Sequence, residues 1–322
     1  MILNDENYYS IEADREYMSC SQFQGFMECE AKQLAKLQER WVDEPSEAFL
    51  VGNYFHSHFE SEEAHQKFCD DNFDAIYKTK EITVKRATKT TDAVKETVIT
   101  GKYAPFEKAD KMIEAVMNDK LMRQFIDMPG KNEMIVQGDI FSMKWRGKLD
   151  KYVEDMRLII DYKTVANIWE TSYNPVTKTR ETFVEKYGYI FRAAIYSLLE
   201  MQMAFGITFE EAYKMLLSDS GDLPEFILLC VSKQDYPDKE VLRLNHTQEY
   251  VRNLEMLKDK LYRIRLLKEG RIAPKRCGMC DYCRATKQLH EIKPYYELIP
   301  ELRTPREVEE LADGTEAVLA TS

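Results

Sequence analysis

The sequence predicts an α/β protein with a central mixed β-sheet flanked by helices, an N-terminal helical segment and a C-terminal cysteine-rich segment. Three observations predict it. Three strand-like runs follow one another between about residues 132 and 163. An isolated apolar run, 225–231, returns after a long helical stretch. Helical periodicity fills most of what remains.

Taken in order, residues 20–40 (CSQFQGFMECEAKQLAKLQER) carry Phe23, Phe26, Met27, Ala31 and Leu34 on one helical stripe, with Ser19 or Ser21 as the cap and Cys29 near the middle. A second helix is expected from Glu47 through Gly52 and His56 to about Asp70. Residues 80–102, rich in Thr and Lys, read as a strand or loop insertion. A helix over 105–125 turns Met112, Ile113, Val116, Leu121 and Met122 inward until Pro129-Gly130 breaks the pattern. Strands at about 132–141, 143–153 and 157–163 follow. A polar loop with Asn174-Pro175 leads to a helix over 181–205, then to the buried strand 225–231 and a helix over 247–269 ended by Gly270. Thr304-Pro305-Arg306-Glu307 is a capping box that opens a last short helix. The expected organisation is one domain over 1–300 (helices 15–75, core 104–235, basic helix and cysteine segment 245–295) and an acidic tail, 301–322.

The 322 residues, 44% of them hydrophobic, can build a sizeable core. The first twenty residues are polar and acidic, so no signal peptide is expected. No apolar run reaches membrane-spanning length, and a cytoplasmic, bacterial setting is the expectation. Without a secretory signal, the seven cysteines point to thiols or metal ligands rather than disulfides. Cys69 and Cys230 read as buried hydrophobes. A net charge of −11 does not announce a nucleic-acid binder, but charge distribution matters more than its sum. Residues 257–276 hold Lys258, Lys260, Arg263, Arg265, Lys268, Arg271, Lys275 and Arg276 against only Asp259 and Glu269, and residues 78–102 are basic too. Lys260, Arg263 and Arg265 are therefore candidate DNA contacts, a solvated helix face being the plainer reading.

Residues 145–164, WRGKLDKYVEDMRLIIDYKT, carry the chemistry. They read as two strands joined by a turn at Glu154-Asp155-Met156. Alternation puts Asp161 and Lys163 on one side of the second strand, and Asp150 on the first strand with Lys144, Arg146 and Lys148. Two carboxylates and an ammonium converge where apolar strands end. An acid pair can hold a divalent cation and a lysine can orient or deprotonate a water, which is equipment for hydrolysing a phosphodiester. Acid-x-Lys alone is unspecific, because Glu30-Ala31-Lys32 and Glu291-Ile292-Lys293 also fit; neither follows an apolar strand with an upstream aspartate. Cys277-x-x-Cys280-x-x-Cys283 could fold three thiolates round one metal, and a closed site needs a fourth ligand.

Gly52-x-x-x-His56, Gly147-Lys148-Leu149-Asp150, Asp161-Tyr162-Lys163 and a following helix with Tyr196 stand in the order seen in PD-(D/E)xK nucleases. Over about residues 15–295 the chain resembles the RecB-like branch of that superfamily, which includes CRISPR-associated nucleases, and most of all the phage and prophage exodeoxyribonuclease VIII-like (RecE-like) exonucleases. The resemblance implies a restriction-endonuclease-like core. It implies that His56, Asp150, Asp161 and the Tyr162 carbonyl bind Mg²⁺ or Mn²⁺, that Lys163 is the catalytic lysine, and that Glu133 is an additional acid. The family helix carries Gln-x-x-x-Tyr; here Arg192 replaces the glutamine ahead of Tyr196, and both become candidate DNA-binding residues. Several RecB-like nucleases hold a [4Fe–4S] cluster with one N-terminal and three C-terminal cysteines. By that analogy Cys29, with Cys20 as competitor, joins Cys277, Cys280 and Cys283, although the spacing here is tighter than usual. Zinc, with His290 as fourth ligand, is the other chemistry. The implied activity is exonucleolytic resection of double-stranded DNA ends for phage homologous recombination, with a single-strand annealing (RecT-like) partner, a homo-oligomer and no membrane. Single-strand cleavage of the CRISPR-associated type, and a catalytically inactive DNA-binding module with a structural metal site, are the alternatives.

Overall fold

The computed structural model describes residues 1–85, 94–174, 178–218 and 221–295. The helix expected at 304 and the acidic tail lie outside them. The chain divides into a large unit, Met1–Cys277, and a second unit that begins at Gly278.

The large unit opens with α1 (Ile11–Glu16), α2 (Cys20–Glu28) and α3 (Glu30–Leu37), then α4 (Glu47–Glu60), α5 (Glu62–Asp71) and the single turn α6 (Phe73–Ile76). A two-stranded antiparallel ribbon, β1 (Tyr77–Lys85) and β2 (Val94–Lys102), leads to α7 (Ala104–Met117) and α8 (Lys120–Asp127). Then come β3 (Lys131–Ile140), β4 (Met143–Val153) and β5 (Leu158–Val165), and the short pair β6 (Ser172–Asn174) and β7 (Thr179–Glu181). Helices α9 (Phe183–Lys186), α10 (Tyr189–Phe205) and α11 (Phe209–Ser218), strands β8 (Glu225–Ser232) and β9 (Lys239–Arg243), and α12 (Thr247–Lys268) complete the unit. The second unit contains α13 (Asp281–Ala285), opened by Cys280, whose sulfur accepts the Cys283 N–H at 3.5 Å.

β3, β4, β5 and β8 fall where strands were expected, whereas the short β6, β7 and β9 carry no sequence signal that marked them, and four helices expected to be continuous are broken. Ser61 ends α4 and caps α5 by accepting the Ala64 N–H, and Asp119 does the same for α8 with the N–H groups of Leu121 and Met122. Gly188, at φ +65°, separates α9 from α10 in a left-handed conformation that glycine adopts freely. Cys29, extended at φ −162°, separates α2 from α3. There the chain turns toward residue 275: Ala31 donates to the Lys275 carbonyl at 3.0 Å, and the Glu30 carboxylate accepts the Lys275 N–H at 2.7 Å.

The central sheet has the order β3-β4-β5-β8-β9, antiparallel except for the parallel β5–β8 pair. Side chains alternate between two cores. Ile159, Phe226, Leu228 and Cys230 face the core shared with α10 and α12, where Ile195, Leu198, Leu254 and Leu261 also lie. Ile160, Tyr162, Ile227, Leu229 and Val231 face the core shared with α4 and α7, beside Phe55, Met112 and Val116. No single described helix is long and apolar enough to cross a membrane; the apolar residues 193–199 of α10 are buried in the protein.

Two strands of this sheet pair only briefly. β4 and β5 share just Lys151↔Ile160, Tyr152↔Ile159 and Val153↔Leu158, while β5 stays paired to β8 over its whole length. The edge of β4 that β5 abandons is taken further on by Met18, which accepts the Arg146 N–H and donates to the Lys144 carbonyl, both at 2.8 Å. Residues 147–150 lie in the gap between these two partners.

Gly147 is needed there because a β-carbon would stand 2.5 Å from Cε1 of Tyr196 on α10. Gly147→Ala is expected to destabilise the protein by roughly 1–3 kcal/mol, as overpacking does. Urea unfolding would show it as a lower midpoint at unchanged slope; an unaltered midpoint would mean that α10 yields to the extra methyl.

Candidate active site

Where β4 and β5 part, the Asp150 side chain replaces the missing ladder partner: its Oδ2 accepts the Tyr162 N–H at 2.8 Å. This draws Asp150 against the end of β5. Lys163 Nζ lies 2.5 Å from Asp161 Oδ2 and 3.5 Å from Asp150 Oδ2, and it donates to the Tyr162 carbonyl at 2.8 Å. From α4, His56 brings Nδ1 to 3.4 Å from Asp150 Oδ2. His56, Asp150, Asp161, the Tyr162 carbonyl and Lys163 thus converge from three elements separated in sequence, as expected. Asp161 and Lys163 are buried, while the His56 side chain keeps 28% of its surface exposed and is the open side of the group.

The electrostatics follow from this packing. Burial would push the Asp150 carboxyl up, but Lys163, His56, the Tyr162 N–H and Arg192 outweigh it and hold Asp150 below the usual carboxylate range. Burial holds the His56 imidazole below its ordinary value against the pull of Asp150, which favours the neutral, metal-ligating form. Burial, and after it the charge of Asp150, push Glu133 up to about 7 against the opposing pull of Lys148. Glu133 itself sits at φ +53°, and Lys148 Nζ holds its Oε2 at 3.1 Å. The ion pair of Lys148 with Glu133 on β3 is long-range and leaves no mark in the sequence motif.

Arg192, a candidate DNA contact, lies beside the acids. Its Nη1 is 3.8 Å from Asp161 Oδ1, and its guanidinium lies 5.7 Å from the centre of the Tyr189 ring, so it belongs to the acid cluster itself. Tyr196 is buried behind Gly147. On α12, Lys260 is exposed, whereas Arg263 forms a two-pronged ion pair with Glu30 (2.6 and 2.8 Å) and Arg265 donates to the Ser142 carbonyl at 3.0 Å.

The donor set suits a hard divalent cation. Two carboxylates, a carbonyl and one imidazole are the ligands that Mg²⁺ or Mn²⁺ takes. Asp161 is buried, and among the described residues its charge is met by Lys163 and Arg192, so the fit to an ion rests on the chemistry of the donor set.

The other candidate metal ligands are cysteines. Cys29 and Cys277 belong to the large unit, and Cys280 and Cys283 to the second, where Cys280 caps the helix that carries Cys283. Burial instead pushes the thiols of Cys20 and Cys230 up to about 12, and that of Cys69 up as well, so these three remain small hydrophobes.

A mixed sheet whose neighbouring strands part at two aspartates and a lysine, with a helix delivering a histidine, is the arrangement of a PD-(D/E)xK nuclease. The chain belongs to the family described as a PDDEXK-like domain of unknown function (DUF3799), whose model matches residues 19–286. Among solved structures it is similar to one from Eubacterium rectale described as a "putative exonuclease", at 28% identity and a TM-score of 0.73 over 93% of this chain and 98% of that one. The structure of SSO0001 aligns at 11% identity and a TM-score of 0.26, over 72% of this chain and 82% of that one, too remote to compare sites. No curated protein matches.

Asp161→Asn is expected to lose divalent-ion binding in calorimetry while keeping the native circular dichroism. Lys163→Ala is expected to keep the ion but slow phosphodiester cleavage by about 10²–10³-fold, the usual loss when one transition-state contact goes. Wild-type cleavage by either folded variant at saturating Mn²⁺ would remove that residue from the site.

Proposed function

We propose that this protein is a metal-dependent exodeoxyribonuclease that resects double-stranded DNA ends for homologous recombination. The observation that carries the nuclease reading is the convergence of His56, Asp150, Asp161 and Lys163 at the parting of β4 and β5. The exonuclease reading is supported by the similarity to the Eubacterium rectale protein over nearly the whole of both chains. A decayed, merely DNA-binding relative would have no reason to keep all four groups in contact.

In this reading the metal supplies Lewis acidity toward the scissile phosphate and a lowered pKa for the attacking water. Asp150 and Asp161 orient that ion, and the Tyr162 N–H keeps Asp150 in place. Lys163 holds the water or stabilises the charge that develops on the phosphoryl oxygens. Arg192 steadies Asp161 from the α10 side and keeps positive charge near the phosphate. Lys260 is the candidate DNA contact on α12, because Arg263 and Arg265 also hold α12 to the rest of the unit. A single-strand annealing partner and a homo-oligomeric assembly belong to the same proposal.

The deciding experiment incubates 5′- and 3′-labelled linear duplex, and circular duplex, with protein and Mg²⁺ or Mn²⁺. Stepwise release of mononucleotides from linear DNA alone is the expected result. Nicking of the circle would make the enzyme an endonuclease, and inertness with both metals would overturn the reading.

We further propose that Cys29, Cys277, Cys280 and Cys283 together hold a [4Fe–4S] centre rather than zinc. Anaerobically purified protein is then brown, and Cys29→Ser loses iron and melts at a lower temperature, because a bound metal adds its binding free energy to folding. Colourless protein with stoichiometric zinc would overturn the assignment.

A further inference from the structure

Two neighbouring tyrosines near the N-terminus are put to different uses. Tyr8 is buried beneath the Arg146 guanidinium, 4.7 Å from its ring centre, and shares a small core with Leu3, Ala13 and Tyr17. Tyr9, the next residue, is 74% exposed. Its ring is set edge-on to Tyr8, with centres 4.9 Å apart and planes at 84°.

The backbone that presents Tyr9 is well fastened. The Asn4 side chain accepts the N–H groups of Glu6 (3.1 Å) and Asn7 (3.0 Å), and Asn7 returns a bond to the Asn4 N–H at 2.9 Å. Ser10 caps α1, and Asp5 pairs with Lys148 on β4 at 3.3 Å. A large ring is therefore held in the open by an ordered strap, with little freedom left to lose on binding. Packing does not ask for an aromatic here, since the ring contributes little to the core.

Its position does supply a reason. Lys148 Nζ lies 5.5 Å from the centre of the Tyr9 ring and also holds Glu133, the carboxyl that feels the charge of Asp150. The strap thus brings a flat apolar face and an ammonium side by side at the rim of the acid site. That combination suits a nucleotide, the cation drawing its phosphate and the ring its base.

We propose that Tyr9 stacks on an unpaired base of the strand being cut, with Lys148 serving the adjacent phosphate. The inference rests on the nuclease reading above and names the form in which the duplex end is held: the bases beside the scissile bond are frayed from their partners, because a base within a duplex has both faces covered by its neighbours.

Binding is read without turnover, in Ca²⁺, with an oligonucleotide carrying a fluorescent base analogue near its end. Tyr9→Ala is expected to weaken single-strand binding about tenfold and to abolish stacking-induced quenching, while affinity for blunt duplex changes by less than about twofold. Tyr9→Phe is expected to keep both properties, and Tyr236→Ala, which alters a tyrosine 93% exposed in the loop between β8 and β9, is expected to change neither. With Mg²⁺ present, Tyr9→Ala should raise KM and spare kcat. Unaltered binding in Tyr9→Ala overturns the proposal, as does an equal loss on blunt duplex. An equal loss in Tyr9→Phe would assign the effect to the hydroxyl rather than the ring. Failure of the wild-type protein itself to bind or cut would sink the nuclease reading on which the proposal rests.

Discussion

Everything at the site depends on where β4 stops pairing with β5. Three residue pairs hold the two strands together, and then the Asp150 carboxylate takes the Tyr162 N–H that a backbone carbonyl would otherwise accept. That one substitution of side chain for main chain satisfies the Tyr162 N–H where the strands separate, which lowers the cost of parting them. It also sets Asp150 at the height of Asp161 and Lys163. β5 cannot follow β4 outward because β8 holds it from the other side along its full length. β4 cannot collapse back because Met18 has claimed its free edge and Tyr196 fills the space over Gly147. The opening is a product of the pairing, not of a flexible loop.

Two carboxylates this close would repel each other if left alone, and burial would raise the cost of ionising both. The surrounding cations answer that. Lys163 is within ion-pair distance of both acids, and Arg192 approaches Asp161 from the neighbouring helix. The arginine stands where the resemblance leads one to expect an uncharged amide, so this site carries an additional positive charge at its wall. Glu133 and Lys148 form a second pair one step further out, which ties the strap at residues 5–9 to the same electrostatic neighbourhood.

Much of this was legible in the sequence, and the limits have physical causes. These strands were readable because Leu158-Ile159-Ile160 opens β5, residues 226–231 of β8 are an apolar run, and β4 alternates weakly. The acid–lysine constellation was readable because two-residue spacing on a strand is enough to set a common face. Helix breaks were harder. Ser61 and Asp119 are good caps, but a polar residue on an amphipathic helix looks the same until the chain turns. The partner of Arg192 could not be read at all, since a helix face shows which residues travel together and not what they meet. Arg263 illustrates the same point: one residue of a basic stretch in sequence, it proves to be committed to Glu30 on a helix near the other end of the unit.

That last contact bears on how the protein comes into being. Glu30 accepts a hydrogen bond from Lys275 across a separation of 245 residues, and Met18 rests on a strand that begins at residue 143. During synthesis Met18 and Glu30 leave the ribosome long before the strand at 143–153 and Lys275 that they bond to. Phe23 of α2 must wait for Trp145 and Phe191, and Glu30 of α3 for Arg263 and Lys275. The segment that helps wall the site is therefore made well before its partners and settles only after them.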